Sequence, residues 1–124
     1  LYNFKIYMLE LGLQEEHFNS ISNGKKIVEG RLNKEKYQSL KNNDKIKFFK
    51  DLPNGTRSKN SITVKITKIS KYKNWETFLK AVKLKNALPN CKTYNEGIKV
   101  YEKFYSKKDT EKWGIIAIHF KLLK

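Results

Sequence analysis

Two stretches of alternating apolar and polar residues, joined by a short turn, constrain the fold of this chain most. Residues 45–51 alternate around Ile46 and Phe48, and residues 61–72 alternate around three β-branched apolar residues. Successive side chains of a strand point to opposite faces, so each stretch predicts a half-buried strand. The Leu-Pro-Asn-Gly segment at residues 52–55 predicts the turn between them. The pattern therefore predicts an antiparallel hairpin.

Shorter elements surround this hairpin. The alternation in the second strand slips at Ile69, which predicts a bulge or a strand end. Apolar residues with helical spacing and polar capping residues predict the helices. In chain order, we predict a strand over 2–9, a helix over 15–23, a strand over 24–32, a short helix from an Asn33 N-cap to Leu40, a polar, mobile loop over 56–60, a helix after an Asn74 N-cap, a helix over 94–105, a short helix from Ser106 to Lys112, and a last strand over 113–122. His17, on the first of these helices, is expected to be a surface or half-buried histidine and not a catalytic one.

The order and length of these elements predict a single α+β domain over residues 1–124. The order is β-α-β-α-β-β-α-α-β, and no repeat, low-complexity tract or linker divides the 124 residues. A chain of this length has room for one modest core. The strand lengths and the hairpin predict a strongly curved, mainly antiparallel sheet.

The charge of the chain is strongly basic and unevenly distributed. The net charge is +15, with +5 in residues 1–62 and +10 in residues 63–124. Such an excess is typical of proteins that bind nucleic acids or other anionic surfaces. However, 25 of the 27 cations are Lys, a bias that the codon usage of an A/T-rich genome also produces. The composition leaves open whether the charge serves a ligand, and an Arg-poor surface favours salt-sensitive, non-specific attraction.

Cysteine and histidine usage limits the other classes of function. A single Cys91 excludes an intramolecular disulfide and is compatible with a reducing, cytoplasmic or nuclear location. With two His residues and no metal-ligand spacing, we expect no metal and no cofactor. No segment has the length of a transmembrane helix, so we expect no membrane partner. We expect a monomer, and the sequence identifies no protein partner.

The segment from Gly24 to Leu32 carries the most informative charges. It follows the first helix and contains Lys26, Glu29 and Arg31, the last being one of only two arginines. In a strand, Glu29 and Arg31 share one face. The simplest interpretation is an exposed ion pair of little consequence for stability.

The spacing of these residues supports a second interpretation. Gly24-x-Lys26-x-x-Glu29-x-Arg31 resembles the G-x-K-x-x-E-x-R signature of the ASCH (activating signal cointegrator homology) domains. Four further segments resemble the flanks of that signature in the same order: residues 18–24, 31–36, 43–48 and 104–118. The resemblance implies a PUA-like curved β-barrel with helices at its rim. It also implies a cleft lined by the signature residues, with Glu35 and Lys36 as neighbours.

The resemblance implies a binding module as the first class of function. In an RNA- or nucleotide-binding domain, Lys26 and Arg31 would neutralise phosphate, and Glu29 would orient Arg31 or accept a hydrogen bond from a base. A stripe of three tyrosines on the helix over 94–105 could stack bases, although packing against the sheet is the more common use. The candidate nucleic-acid-binding residues are Lys25, Lys26, Glu29, Arg31, Glu35, Lys36 and Tyr105.

An enzyme acting on RNA or on modified nucleosides is the alternative. In a ribonuclease-like reaction, Lys26 and Glu29 would be the catalytic residues, as cation and general base. A bacterial branch of the family is associated with amide hydrolysis of acylated cytidine through a Lys, a Thr three residues later and a distant Glu. Here the Thr position is Glu29 and no carboxylate lies near Asn90, so that triad is not matched. A protein-interaction adaptor is a third class that no residue supports.

Overall fold

The computed structural model describes residues 8–123, which form five strands and six helices. The predicted strand over 2–9 lies almost wholly outside these residues. The elements in chain order are β1 (Leu9–Leu13), α1 (Glu15–Ser22), β2 (Val28–Leu32), α2 (Glu35–Gln38), β3 (Lys45–Asp51), β4 (Arg57–Tyr72), α3 (Trp75–Val82), α4 (Leu84–Ala87), α5 (Tyr94–Phe104), α6 (Lys107–Trp113) and β5 (Ile115–Leu122).

The five strands form one mixed sheet in the order β1-β3-β4-β5-β2. The predicted hairpin is its centre, because β3 and β4 pair antiparallel, with Ile46 opposite Val64. β5 pairs antiparallel with both β4 and β2, and β1 pairs parallel with β3. Among the described residues the ladder does not close between β1 and β2. The sheet is a curled half-barrel whose two edge strands approach each other.

Both faces of the sheet are covered, because β5 is apolar on both sides. On the concave face, Ile116, Ile118 and Phe120 pack with β1, β3, β4, α1 and α2. On the convex face, Ile115 and Ala117 pack against α3, α4 and α5. Each cluster buries its large side chains almost completely, which is the main source of stability for such a domain. The helices are thereby fixed at the rim and on the convex side.

Several element boundaries differ from the sequence-based prediction. Residues 57–60 are not a loop but the start of β4, since Arg57 pairs with Asp51 across the hairpin. Asn33 does not cap α2; Lys34 holds that position and makes no side-chain cap. A short helix that the sequence did not predict, α4, follows α3. The predicted irregularity near Ile69 is a shift of register between Ile66 and Lys68.

Other local predictions are confirmed by the hydrogen bonds. The Asn74 side chain accepts from the Thr77 N–H and caps α3. The Ser106 hydroxyl accepts from the Asp109 N–H and caps α6. None of the helices in residues 8–123 could serve as a membrane span.

Candidate functional site

A cleft of about 210 Å³ opens where the two edge strands of the half-barrel meet α1 and α5. The end of β1 and the start of α1 form one wall, β2 forms the floor, and α5 forms the opposite wall. The lining residues are Gly12, Leu13, Gln14, His17, Lys26, Glu29, Gly30, Arg31, Asp51, Leu88, Val100, Tyr101, Phe104 and Tyr105.

Three charged residues of the signature form the floor of this cleft. One Glu29 oxygen, Oε1, lies 3.3 Å from Lys26 Nζ, and the other, Oε2, lies 3.0 Å from Arg31 Nη2 and accepts from Arg31 Nε at 3.1 Å. Lys26 Nζ also donates to the carbonyl oxygen of Ala87 at 2.6 Å. Lys26 is 1% exposed and Glu29 5% exposed, so the pairing is a buried network and not a surface ion pair.

The two cations determine the protonation of Glu29. Burial alone would raise the pKa of the Glu29 carboxyl, but the Lys26 ammonium and the Arg31 guanidinium together lower that pKa to about 2. Burial lowers the pKa of Lys26, and the adjacent Glu29 carboxylate opposes this shift. Glu29 is therefore ionised at neutral pH, and the three residues together carry one net positive charge when Lys26 is protonated.

Arg31 is the member of this network that is open to the cleft. Its Nη2 donates to the carbonyl oxygen of Gly12 at 3.1 Å, so its side chain ties β2 to β1 across the open edges of the sheet. Its side chain is 18% exposed, against 1% for Lys26. The hydrogen bonds that Arg31 makes within residues 8–123 use Nε and Nη2. The two N–H groups of Nη1 remain free to donate to a ligand.

His17 lies on α1 and is half-buried, which is one of the two placements that the sequence left open. The structure adds that its imidazole lines the cleft beside the charged network. Burial lowers the pKa of His17, and the positive charge of Lys26 lowers it further. The imidazole is consequently neutral at neutral pH and able to accept a proton or a hydrogen bond.

The tyrosine stripe of α5 divides into a core part and a cleft part. Tyr101 is buried and stacks on Trp75 with ring centroids 4.2 Å apart, and Tyr105 stacks on the same indole at 5.3 Å. The Tyr101 hydroxyl is buried without a hydrogen-bond partner among the described residues. Burial raises the pKa of Tyr105 to about 12. Both tyrosines line the cleft, where Tyr101 is buried by packing and Tyr105 is half-buried.

A second cavity, of about 340 Å³, adjoins the cleft between α1 and α5. The two cavities share Gln14, His17, Leu88, Val100 and Phe104. Phe104 is 51% exposed, so an aromatic ring faces solvent at the junction. Sequence reasoning missed this residue. Phe104 does lie beside Tyr105 in the last segment that resembles the ASCH family, and this position could have identified it. Its exposure, however, depends on how the helix packs in the folded chain.

The structure separates the predicted site residues into two groups. Lys26, Glu29, Arg31 and Tyr105 meet in the cleft. The others are exposed and lie outside its lining: Lys25, Glu35 and Lys36. Of these, Lys36 places its Nζ 5.2 Å from the centroid of the Tyr37 ring. Residues 8–123 contain no group of three His, Cys, Asp or Glu side chains placed to hold a metal ion.

The curled half-barrel and the charged cleft between its edges define a PUA-like α+β domain. The chain belongs to the ASCH domain family, whose model matches residues 11–124. No curated protein matches the sequence.

Solved structures agree with this assignment. Hypothetical protein PH0355 is 35% identical, with a TM-score of 0.81 over 94% of this chain and 100% of its own. Protein PF0455 from Pyrococcus furiosus is 35% identical, with a TM-score of 0.73 over 95% of this chain and 99% of its own. A mutant form of ZmASCH from Zymomonas mobilis shares the fold at 15% identity, with a TM-score of 0.60 over 90% of this chain and 67% of its own.

Proposed function

We propose that this ASCH domain binds RNA, or a nucleotide of RNA, in the cleft between the sheet edges. The observation that carries the proposal is the Arg31 guanidinium. It is fixed by Glu29 and Gly12, it lines an open cavity, and its Nη1 makes no hydrogen bond among the described residues. A planar guanidinium held in this way is suited to donate two hydrogen bonds to one phosphate. The buried Lys26 contributes indirectly, because it holds Glu29 in place and adds positive charge beneath the site.

The aromatic residues at the cleft support a nucleotide over a simple anion. Phe104 offers an exposed ring at the junction of the two cavities, and Tyr105, which stacks on Trp75, also lines the cleft. Bases stack on such rings without regard to sequence. Because the two cavities adjoin and share five lining residues, we propose that the preferred ligand is a single strand longer than one nucleotide.

RNA binding through stacking is tested by fluorescence anisotropy with a labelled oligouridylate of roughly 12 nucleotides. We expect Phe104→Ala to lower affinity by about 5-fold or more, since base–aromatic stacking contributes about 1–3 kcal/mol. Tyr94→Ala is the matched control, because Tyr94 is the other exposed aromatic residue of α5 and lies outside both cavities. Equal loss in the two variants would contradict the cleft as the binding site. Competition by uridine monophosphate distinguishes a single nucleotide from a longer strand.

A hydrolase acting on RNA or on modified nucleosides is the second candidate, and His17 is the observation that favours it. A carboxylate with a pKa of about 2 is a weak base at neutral pH, which argues against Glu29 as general base. The neutral imidazole of His17, in contrast, lines the same cleft. Incubation with RNA and with N-acylated nucleosides tests this candidate. Product formation that disappears in His17→Gln, with RNA binding intact, would replace the binding module by an enzyme.

A further inference from the structure

Three lysines lie directly opposite one another on three neighbouring strands. Lys45 of β3 pairs with Lys65 of β4, and Lys65 pairs with Lys121 of β5. Directly opposed residues of antiparallel strands share a face, so the three side chains form a row across the sheet. Their sequence neighbours Ile46 and Val64 point to the concave core. The lysine row therefore lies on the convex face.

Further cations extend this row. Lys47 follows Lys45 on the same face of β3, and Lys68 of β4 pairs with His119 of β5. Glu10 of β1, opposite Lys47, is the only carboxylate that the register places beside these residues in the described part of the sheet. Within residues 8–123, no ion pair includes Lys45, Lys65 or Lys121. The helices that cover the convex face pack on its other part, around Ile115 and Ala117.

A row of opposed like charges is unfavourable for the isolated sheet. Cross-strand pairs of like charge destabilise a sheet, whereas an opposite charge or a threonine at one position would stabilise it. Repulsion within the row therefore destabilises the free domain. A bound anionic ligand would relieve that repulsion. Strands are about 4.8 Å apart, so the row spans roughly 10 Å. That length is about the axial rise of three nucleotides of one strand.

We propose that the lysine row on the convex face is a second nucleic-acid contact, one that binds the phosphate backbone. It is separate from the cleft, because none of its residues lines either cavity between α1 and α5. Lysine ammonium groups act as point charges and do not read bases, so the contact is independent of sequence and sensitive to salt. Such a surface would hold a strand whose bases are recognised elsewhere on the domain.

The test compares two triple variants of the same net charge. One is Lys45→Gln, Lys65→Gln and Lys121→Gln, and the control is Lys34→Gln, Lys85→Gln and Lys108→Gln, at exposed positions outside the row. Binding of the labelled oligouridylate is measured from about 50 to about 200 mM salt. In the row variant, we expect the slope of log affinity against log salt to become less negative by about 2. Each phosphate contact on a single strand contributes about 0.7 to that slope, and the variant removes three lysines. Affinity at low salt should fall about tenfold or more, with a clearly smaller loss in the control.

Urea unfolding at low salt supplies an independent measurement. If repulsion within the row destabilises the folded chain, the row variant unfolds at a higher urea concentration than the native chain, while the control variant does not. If both triple variants lose the same affinity and the same salt dependence, the proposal is overturned. Binding would then depend on the total positive charge of the domain and not on the lysine row. Phe104→Ala should leave the salt slope unchanged, so failure of the cleft and failure of the lysine row can be distinguished.

Discussion

Replacing Glu29 by Gln is expected to lower the free energy of unfolding by about 3–5 kcal/mol at neutral pH. Glu29 is 5% exposed, and its carboxylate faces the fully buried Lys26 and the half-buried Arg31, which keep their charges when it is neutralised. Loss of one partner from such a network leaves charges that neither water nor protein compensates. Urea unfolding followed by tryptophan fluorescence measures the loss.

The same variant makes a prediction about pH. The pKa of Glu29 is about 2 in the folded chain and 4.5 in its ordinary range, so the folded state favours the ionised carboxyl. The contribution of the Glu29 carboxylate to folding stability is therefore complete above about pH 4.5 and is lost as the pH falls towards 2. The difference in pKa corresponds to about 3 kcal/mol. The stability difference between the native chain and Glu29→Gln should consequently narrow over this range.

Glu76→Gln is the matched control for both measurements. Glu76 and Lys80 of α3 form a closer ion pair, at 2.8 Å, but both side chains are about 60% exposed. Exposed pairs of this kind contribute little, because water and salt screen them. A loss from Glu29→Gln no larger than that from Glu76→Gln would mean that the network beneath the cleft contributes no more than a surface ion pair.

The signature segment shows what sequence reasoning can and cannot provide at this site. The alternation of a strand correctly placed Glu29 and Arg31 together, and the family resemblance identified Lys26 as their companion. The simpler interpretation, an exposed ion pair, was wrong. Burial of Glu29 depends on β1, α1 and α5, which reach the cleft only through the curvature of the sheet. Local periodicity contains no information about these distant contacts.

The same limit explains Phe104 and residues 57–60. Helical spacing marked the tyrosines of α5 as one stripe, but only packing against Trp75 decides that Tyr101 is buried while Phe104 is exposed. The polar sequence before Ser61 indicated a loop. It forms strand because β3 supplies hydrogen-bonding partners as far as Asp51, which pairs with Arg57. In both cases tertiary contacts outweigh local preference.

Phe78→Ala is expected to cost about 3–5 kcal/mol of stability and to disturb β2, the strand that forms the floor of the cleft. The Phe78 ring is fully buried and packs edge-on against three aromatic rings: Tyr72, Trp75 and Tyr101. Its removal leaves a cavity behind β2, the strand that carries Glu29 and Arg31. Phe104→Ala provides the matched control, since it deletes the same atoms from an exposed position and should change stability by less than about 0.5 kcal/mol.

Gly30 identifies the mechanism by which Phe78 supports the site. A Cβ at Gly30 would lie 2.7 Å from Phe78 Cζ and 3.1 Å from Trp75 Cζ3, so β2 approaches α3 only because residue 30 has no side chain. We expect Gly30→Ala to cost about 1–3 kcal/mol in the native chain and clearly less when Phe78→Ala is also present. Additive losses in this double-mutant cycle, measured by urea unfolding, would contradict direct packing of the Phe78 ring on β2. Coupled losses would support direct packing of the Phe78 ring on β2, the strand that carries Arg31.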